Sequence, residues 1–236
     1  GLARFFESSE HVDRREFRIY AEHLAQDPAV QAWGWVPRIA AAERQRIEEE
    51  AQRDGLTDFM IWERDGRAGR IPVNGREHYF PVLYAEPMAG NEAALGFDLG
   101  SEPVRLAALE KAMDTGLVTA TDPITLVQEE EDELGILVLR PVFDPNAMDG
   151  QEGFVVSALR AETLLKRVVK PTDSQLFHVM LDMYQLQENA PPIFLASTDP
   201  QHSRIPEVHS LLLHAEEKAL TLLTPLFAYG KAYVFV

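Results

Sequence analysis

Strand-like segments interspersed with helices fill most of the chain, and their order constrains the fold more than any other feature. The segment 57–64 alternates apolar and polar residues with the period of a β-strand. Further strands are predicted at 31–39, 78–87, 95–99, 124–128, 135–143 and 153–160. Helices are predicted at 40–55, 102–116 and 161–169. The remainder, 170–236, is predicted mainly as strands, with helix as an alternative near 215–223. This order favours the α+β class with antiparallel sheets.

The N-terminal segment predicts one long helix, because residues 2–27 contain neither glycine nor proline. Phe5, Val12 and Ile19 repeat every seven residues and form a second apolar stripe beside a broader one. One stripe is sufficient for docking on a domain. The second indicates either a helix buried over a wide face or a contact with a partner, for which a second copy of the chain is the candidate.

Composition argues against several partners and chemistries. The net charge is −16, from 22 basic and 38 acidic residues, whereas nucleic-acid binding requires clustered lysine and arginine. There is no cysteine, which excludes disulfides, thiolate nucleophiles and Cys-ligated zinc. The seven histidines have no metal-ligand spacing, and nucleotide-binding and GxSxG motifs are absent. We therefore expect no metal, cofactor or catalysis in this chain.

Asp98 lies inside the apolar segment 95–99 and is the first candidate functional residue. A bare carboxylate in a buried strand costs several kcal/mol unless it is paired or hydrogen-bonded. Three explanations compete. Asp98 caps the turn that follows it, it pairs with Arg140, or it faces a cavity and accepts hydrogen bonds from a ligand.

Arg140 interrupts the apolar segment 135–143 in the same manner. At the strand period of two it shares a face with Ile136, Val138 and Val142. A guanidinium on such a face indicates an internal partner or an anionic ligand, unless the face is exposed at a sheet edge.

Several segments between residues 31 and 160 together resemble the CHASE domain, an extracytoplasmic sensor module of membrane receptors. They are AVQAWGWVPRI, REHYFPVLYAEP, NEAALGFDLGSEPVRLAALEKAMDTG, ITLVQE, LVLRPVFDP and GFVVSALR. The family is best known from plant cytokinin-receptor histidine kinases. In bacteria it precedes histidine kinase, diguanylate cyclase or phosphodiesterase output domains.

The resemblance implies a specific fold and domain order. Residues 1–30 would form a long stalk helix that also dimerises. Residues 31–169 would form a membrane-distal PAS-like ligand-binding domain, and residues 170–236 a membrane-proximal PAS-like domain. No apolar run in the chain approaches the roughly 18 residues that a membrane span requires. The resemblance places the spans outside the chain, with the domain itself in the periplasm.

The resemblance also implies a ligand site. Asp98 matches the aspartate that binds the adenine ring in cytokinin receptors, and Tyr84 matches an aromatic pocket residue. Thr119 and Ala120 match backbone that hydrogen-bonds the hormone. Arg140 lies on the strand that closes the pocket, where plant receptors have apolar or aromatic residues. An adenine-like ligand, or one with an anionic group that suits Arg140, is therefore expected.

The expected function is ligand sensing by a bacterial transmembrane receptor of the histidine kinase or cyclic di-GMP type. The alternative is a ligand-free structural and dimerisation module that senses through a protein partner. An apolar cavity with Asp98 and Arg140 pointing into it would favour ligand sensing. A filled core with those two residues paired would favour the alternative.

Overall fold

The computed structural model describes residues 1–9, 12–66, 69–127, 134–143, 151–168, 181–198 and 224–235. The helices are α1 (Leu2–Glu7), α2 (Arg14–Leu24), α3 (Arg44–Arg53), α4 (Pro103–Thr115) and α5 (Ala161–Val168). The first strands are β1 (Val30–Pro37), β2 (Ile39–Ala40), β3 (Trp62–Arg64), β4 (Arg70–Pro72), β5 (His78–Tyr79) and β6 (Tyr84–Glu86). The next are β7 (Thr119–Ala120), β8 (Ile124–Thr125), β9 (Leu134–Phe143) and β10 (Gln151–Arg160). The last are β11 (Asp182–Gln187), β12 (Ala190–Ser197), β13 (Thr224–Ala228) and β14 (Lys231–Phe235).

Two antiparallel sheets contain most of the described strands, as the sequence predicts, and β2 with β5 and β3 with β4 form two further two-stranded pairs. The main sheet has the order β6-β1-β10-β9-β7, and β8 also pairs with β9. The second sheet has the order β12-β11-β14-β13. In the main sheet Trp35 of β1 lies opposite Val155 of β10 and Tyr84 of β6. The pairings between these strands are all antiparallel.

Strand β9 contributes side chains to three apolar clusters on the two faces of the main sheet. Leu137 and Leu139 belong to the cluster between the sheet and α4. Val142 belongs to the cluster beneath the N-terminal helices, and Ile136 to the one shared with the second sheet. Successive side chains of a strand point to opposite faces. The predicted common face of Arg140 and Val142 is therefore turned away from α4.

Helix α4 matches its predicted bounds closely. Pro103 occupies the first turn, where a missing N–H leaves no bond unmade, and Gly116 ends the helix at φ +67°. Glycine adopts this left-handed conformation without a Cβ clash. The predicted α3 and α5 are also present, and Gly55 follows α3 with φ +94°.

The prediction of one long N-terminal helix is wrong. Two helices are separated by a break, and α2 begins after Asp13, whose backbone is extended. The Asp13 carboxylate accepts a hydrogen bond from Glu16 N at 2.8 Å, and the Glu16 carboxylate accepts one from Asp13 N at 3.1 Å. This reciprocal pair is a capping box, which starts a new helix.

The predicted second stripe is consequently disrupted. Val12 lies in the break and is buried, together with Phe6 and Trp35, in the cluster under the main sheet. Ile19 has 53% of its surface exposed on α2. The rings of Phe6 and Trp35 stack with centroids 4.0 Å apart. Helices α1 and α2 therefore pack largely as a layer on the sheet, and Val12 is not available for a contact between copies.

The second sheet docks on the main unit through specific polar contacts. Asp122 binds both Gln185 and Lys231 of the second sheet. The backbone N–H of Ala120 donates to Tyr229 O at 3.0 Å, at the tip of the β13–β14 hairpin. The proposed boundary at 169 and 170 and the alternative helix near 215–223 lie outside the described residues.

Four predicted strands are shorter or different in the structure. The segment 78–87 contributes β5 and β6 with a gap between them, and the described part of 124–128 contributes only β8. The segment 57–64 contributes only β3, Trp62–Arg64. In 95–99, Phe97 and Asp98 form isolated bridges with Trp62 and Pro81. The chain then turns into a 3-10 helix at Leu99–Ser101. Asp98 is thus at the start of a turn and not within a regular strand.

Candidate functional site

A small cavity of about 50 Å³ lies between the main sheet and the segments that cover it, including the first turn of α4. Apolar side chains form nearly all of its walls. The residues that line it are Ala32, Gly34, Val36, Val82, Ala85, Ala94, Phe97, Leu99, Arg105, Leu126, Val127, Leu137, Val156 and Ala158. An apolar concavity with few polar groups is the usual form of a small-molecule site.

Small residues on adjacent strands create the space. Ala32 and Gly34 come from β1, Ala85 from β6 and Ala158 from β10. A Cβ added at Gly34 would lie 3.3 Å from the Tyr84 carbonyl oxygen, which is a tight contact. Larger residues at these positions would fill the space that separates the sheet from its cover.

Arg105 supplies the one polar side chain among the lining residues that the structure describes. It is 3% exposed. Its Nη2 donates to Thr125 O at 2.9 Å, and its Nη1 forms an ion pair with Glu102. Its Nε is buried and has no partner among the described residues. Burial, with a smaller effect of Arg64, lowers the pKa of Arg105 to about 10, so the guanidinium stays charged at neutral pH.

Two arginines share one carboxylate at this point. Glu102 Oε1 lies 4.0 Å from Arg64 Nε, while Glu102 Oε2 contacts Arg105. The Arg64 side chain is 43% exposed and the Arg105 side chain 4% exposed. Water therefore screens Arg64 strongly and Arg105 little. Arg64, Arg105 and Glu102 together carry one net positive charge.

Asp98 is fully buried and holds three hydrogen bonds. Its Oδ1 accepts from Phe80 N at 2.7 Å and Gly100 N at 3.0 Å, and its Oδ2 accepts from Arg76 Nη2 at 2.8 Å. Burial raises the pKa of Asp98, although these bonds and the charge of Arg76 act in the opposite direction. The capping explanation is confirmed. The prediction that Asp98 pairs with Arg140 is wrong, because the ion-pair partner of Asp98 is Arg76.

The Asp98 side chain is also absent from the cavity wall. Phe97 and Leu99 both line the cavity, and Asp98 between them has an extended backbone, φ −79° and ψ 107°. In extended chain, alternate side chains point to opposite sides. Asp98 is accordingly directed toward Arg76, which also binds Glu63.

Arg140 and Tyr84 lie elsewhere. Arg140, with 46% of its side chain exposed, has Nη2 3.8 Å from Glu7 Oε1. It lines a different and larger cavity, of about 400 Å³, on the other face of the sheet. Tyr84 packs against Phe17 with ring centroids 5.5 Å apart, and burial raises the pKa of its hydroxyl to about 12. The structure brings neither residue to the cavity beside α4.

Thr119 and Ala120 form β7 at the edge of the main sheet, and both are buried. The Thr119 hydroxyl donates to Leu117 O at 3.3 Å. The Ala120 N–H, which the resemblance offers to a ligand, already donates to Tyr229 O. The five predicted site residues therefore occupy separate environments, and none lines the cavity beside α4.

Arg105 was missed by the sequence interpretation, although a signal was present. The buried residues of α4 are Arg105, Ala108, Leu109 and Ala112, at positions i, i+3, i+4 and i+7 of one helical face. A charged residue on that face must find a partner inside the protein. The same reasoning that singled out Asp98 would have selected it.

The described residues contain no group of three or more histidine, aspartate or glutamate side chains placed to hold a metal ion. No helix in this part of the chain has the length and apolar composition needed to cross a bilayer.

Solved structures with this fold include sensory domains. The chain aligns over 99% of its length with an extracellular ligand binding receptor from Desulfohalobium retbaense, with a TM-score of 0.53, 14% identity and 34% of that chain covered. It aligns equally fully with the periplasmic sensory domain of the Campylobacter jejuni chemoreceptor Tlp1, with a TM-score of 0.51, 11% identity and 81% coverage. At these identities the likeness concerns the fold.

The mixed α/β architecture with antiparallel sheets is thus one that this chain shares with these two structures. The CHASE domain model matches residues 10–195, and the chain belongs to the CHASE domain family. CHASE domains are extracellular sensor domains. A germination-specific adenylate cyclase from Dictyostelium discoideum is 24% identical over 104 residues, which are 44% of this chain and 12% of that protein.

Proposed function

We propose that this chain is the extracytoplasmic, periplasmic sensor domain of a bacterial transmembrane receptor, and that it binds a small molecule in the cavity beside α4. The single observation that carries this proposal is the small apolar cavity beside α4, of about 50 Å³, with one buried guanidinium in its wall. If the region beside α4 were only structural core, side chains would fill this space, since protein interiors are close-packed.

Family membership supports a sensory role for the chain. The output enzyme, a histidine kinase or a cyclic di-GMP enzyme, would belong to the remainder of the receptor. The chain spans only 12% of the adenylate cyclase it matches, as expected if a sensor is one module of a larger signalling protein.

We further propose that the main sheet is the membrane-distal PAS-like unit and the second sheet the membrane-proximal one. Counted along the chain, strands β1, β6, β7, β9 and β10 have the spatial order 2-1-5-4-3. The second sheet is assembled from residues after 181. The contacts of Asp122 and Ala120 join the two units, so a change beside α4 can reach the proximal sheet.

The proposed homodimer would use only the exposed part of the original stripe, because Val12 is buried. Ile19 and Tyr20 are among the exposed large apolar residues of α2. Tyr20 stacks on Phe5 with ring centroids 4.9 Å apart. This exposed side of α2 is the candidate for contact between copies. The roles proposed for Asp98, Arg140, Tyr84, Thr119 and Ala120 remain predictions, and a direct contact by Asp98 would require its pair with Arg76 to open.

Filling the cavity tests the proposal. Ala158→Leu adds three carbon atoms at the sheet floor, where Ala158 is 6% exposed. Ala42→Leu makes the same change at an exposed position and is the matched control. Thermal melts against a library of small molecules should find compounds that stabilise the wild type and Ala42→Leu but not Ala158→Leu. Native mass spectrometry should show a co-purified molecule lost from the same variant.

Equal ligand stabilisation in all three proteins would place binding elsewhere and refute the cavity as the site. If no library compound stabilises the wild type and no molecule co-purifies, the alternative of a ligand-free module that senses through a protein partner is favoured.

A further inference from the structure

We propose that the cavity of about 400 Å³ on the other face of the main sheet is a second ligand site, for a neutral and mainly apolar molecule with one carbonyl oxygen. Trp33 and Ser157 would donate hydrogen bonds to this oxygen. The site is separate from the cavity beside α4 and goes beyond the proposed function.

The cavity lies where three parts of the chain meet. Leu2 and Ala3 of α1 line one side of it, strands β1, β9 and β10 line it from the sheet, and Tyr229 reaches it from the tip of the β13–β14 hairpin. Its volume falls in the range of roughly 300–1,000 Å³ that is usual for small-molecule sites. A molecule bound here would contact the N-terminal helix, the main sheet and the second sheet together.

Two polar side chains in the sheet wall of this cavity lack hydrogen-bond partners. Trp33 of β1 lies directly opposite Ser157 of β10, and such opposed residues have Cβ atoms about 4.5–5.5 Å apart on one face. Trp33 Nε1 and Ser157 Oγ are both buried and have no partner among the described residues. Ser157 as a whole is 5% exposed. Buried polar groups are normally paired, because an unsatisfied one costs free energy.

A single ligand oxygen can satisfy both groups. The indole N–H of Trp33 only donates, so the ligand must supply an acceptor, and a carbonyl oxygen has two lone pairs for the two donors. Neighbouring side chains cover Nε1 and Oγ, but both residues line the cavity. Rotation of Ser157 among its staggered χ1 positions turns the hydroxyl toward a ligand that enters there.

Charge does not select an anion for this site. Arg140 is the one charged side chain among the lining residues within the described ranges. Its side chain is 46% exposed and its Nη2 lies 3.8 Å from Glu7 Oε1, so Glu7 and water already compensate its charge. Apart from Trp33, Ser157 and Tyr229, the other lining residues are aliphatic or glycine. These walls match a neutral, apolar body.

Titrations with α-tetralone and tetralin test the hydrogen bonds, because a carbonyl group in the first molecule replaces a methylene group of the second. A neutral hydrogen bond contributes about 0.5–1.5 kcal/mol, which corresponds to roughly two- to tenfold in affinity. With two donors, α-tetralone should bind at least about fourfold more tightly than tetralin. In proton–nitrogen correlation spectra the indole N–H signal of Trp33, assigned with Trp33→Phe, should move downfield with α-tetralone but not with tetralin.

Two variants locate the interaction. Ser157→Ala should weaken α-tetralone binding about two- to tenfold and leave tetralin binding unchanged. It should not lower the free energy of unfolding, since the hydroxyl it removes has no partner among the described residues. Ser8→Ala, at an exposed position, is the matched control. Val138→Phe adds bulk opposite Ser157 on β9 and should abolish the binding of both molecules.

Several results would overturn the inference. They are no binding of α-tetralone up to its solubility limit, equal affinities for α-tetralone and tetralin, an unshifted Trp33 signal, or tighter binding of the anion α-naphthoate. Loss of α-tetralone binding in Ala158→Leu but not in Val138→Phe would place the molecule beside α4 instead.

The titrations are repeated on the intact receptor, because Gly1 is one of the lining residues. Binding that persists there is the expected result. Binding to residues 1–236 that disappears in the intact receptor would show that other parts of the receptor occupy the space, and would also overturn the inference.

Discussion

Removing Arg76 should leave the buried carboxylate of Asp98 without its counter-charge. Arg76 binds Asp98 at 2.8 Å and also pairs with Glu63. The Asp98 side chain is 0% exposed, whereas the Glu63 side chain is 21% exposed and can regain water. The cost of Arg76→Met is therefore expected to come mainly from Asp98.

The magnitude follows from the partners that remain. Breaking a buried ion pair by removing one partner costs about 3–5 kcal/mol. Asp98 keeps its two backbone donors, Phe80 N at 2.7 Å and Gly100 N at 3.0 Å. We therefore expect Arg76→Met to lower the free energy of unfolding at pH 7.5 by about 3 kcal/mol, at the lower end of this range. For a chain of this length that corresponds to a fall in Tm of about 6–12 °C.

The loss of unfolding free energy caused by Arg76→Met should be smaller at low pH. Burial raises the pKa of folded Asp98 above its ordinary value, and loss of the Arg76 charge raises it further. A raised folded pKa gives stability that is fully present below the unfolded pKa and is lost as pH rises through the folded pKa. The Arg76→Met penalty should therefore be smaller at pH 5 than at pH 7.5. The relief is about 1.4 kcal/mol for each pKa unit by which the folded pKa of Asp98 in the variant exceeds that in the wild type, between pH 5 and pH 7.5.

Urea denaturation at the two pH values measures this effect. Arg46→Met is the matched control, because Arg46 also has two carboxylate partners, Glu43 and Glu50, but is 54% exposed. Its cost should stay below about 1 kcal/mol at both pH values. Arg76→Met combined with Asp98→Asn should recover part of the stability. A penalty under 1 kcal/mol, or one equal at both pH values, would refute the account of Asp98 as a buried, paired carboxylate.

Two further substitutions test the backbone geometry, each by denaturant unfolding. Gly96→Ala should cost well over 1 kcal/mol, because Gly96 has φ +75° and its added Cβ would lie 2.0 Å from Met60 O. Gly90→Ala, at φ +83° but with no atom within 4 Å of the added Cβ, should cost clearly less, and equal losses would contradict the contact. Asp13→Ala should cost about 1 kcal/mol by removing the cap that binds Glu16 N. In a continuous helix Asp13→Ala would be neutral or stabilising. The sign of its effect on the free energy of unfolding therefore decides between a helix that begins after Asp13 and one continuous N-terminal helix.

The sequence was most informative where structure is local. Helix α4 follows from its apolar spacing together with Pro103 and Gly116, and β9 and β10 follow from their apolar runs. The break before α2 was also local, since Asp13 and Glu16 have the spacing of a capping box. The absence of glycine and proline outweighed that signal in the prediction.

The site depended on contacts that no local pattern specifies. The partner of Asp98 is Arg76, 22 residues earlier in a turn-rich loop. Arg140 was predicted instead because, like Asp98, it is a charged residue within an apolar segment. The cavity depends on alanines from different strands, such as Ala32 and Ala158, whose juxtaposition is a property of strand pairing. Arg105 was accessible from its helical face, but only a structure shows that its Nε is left free.

Strand β9 has a mechanical consequence for signalling. Its ten residues contribute Leu137 to the packing around the cavity beside α4, Val142 to the layer under the N-terminal helices, and Ile136 to the core shared with the second sheet. A strand is stiff along its axis and rises about 3.3 Å per residue. Sliding of β9 by a fraction of that step would move all three regions together. The strand can therefore couple the three regions mechanically. A shift of β9 caused at the cavity beside α4 would also displace the packing under the N-terminal helices and in the core shared with the second sheet.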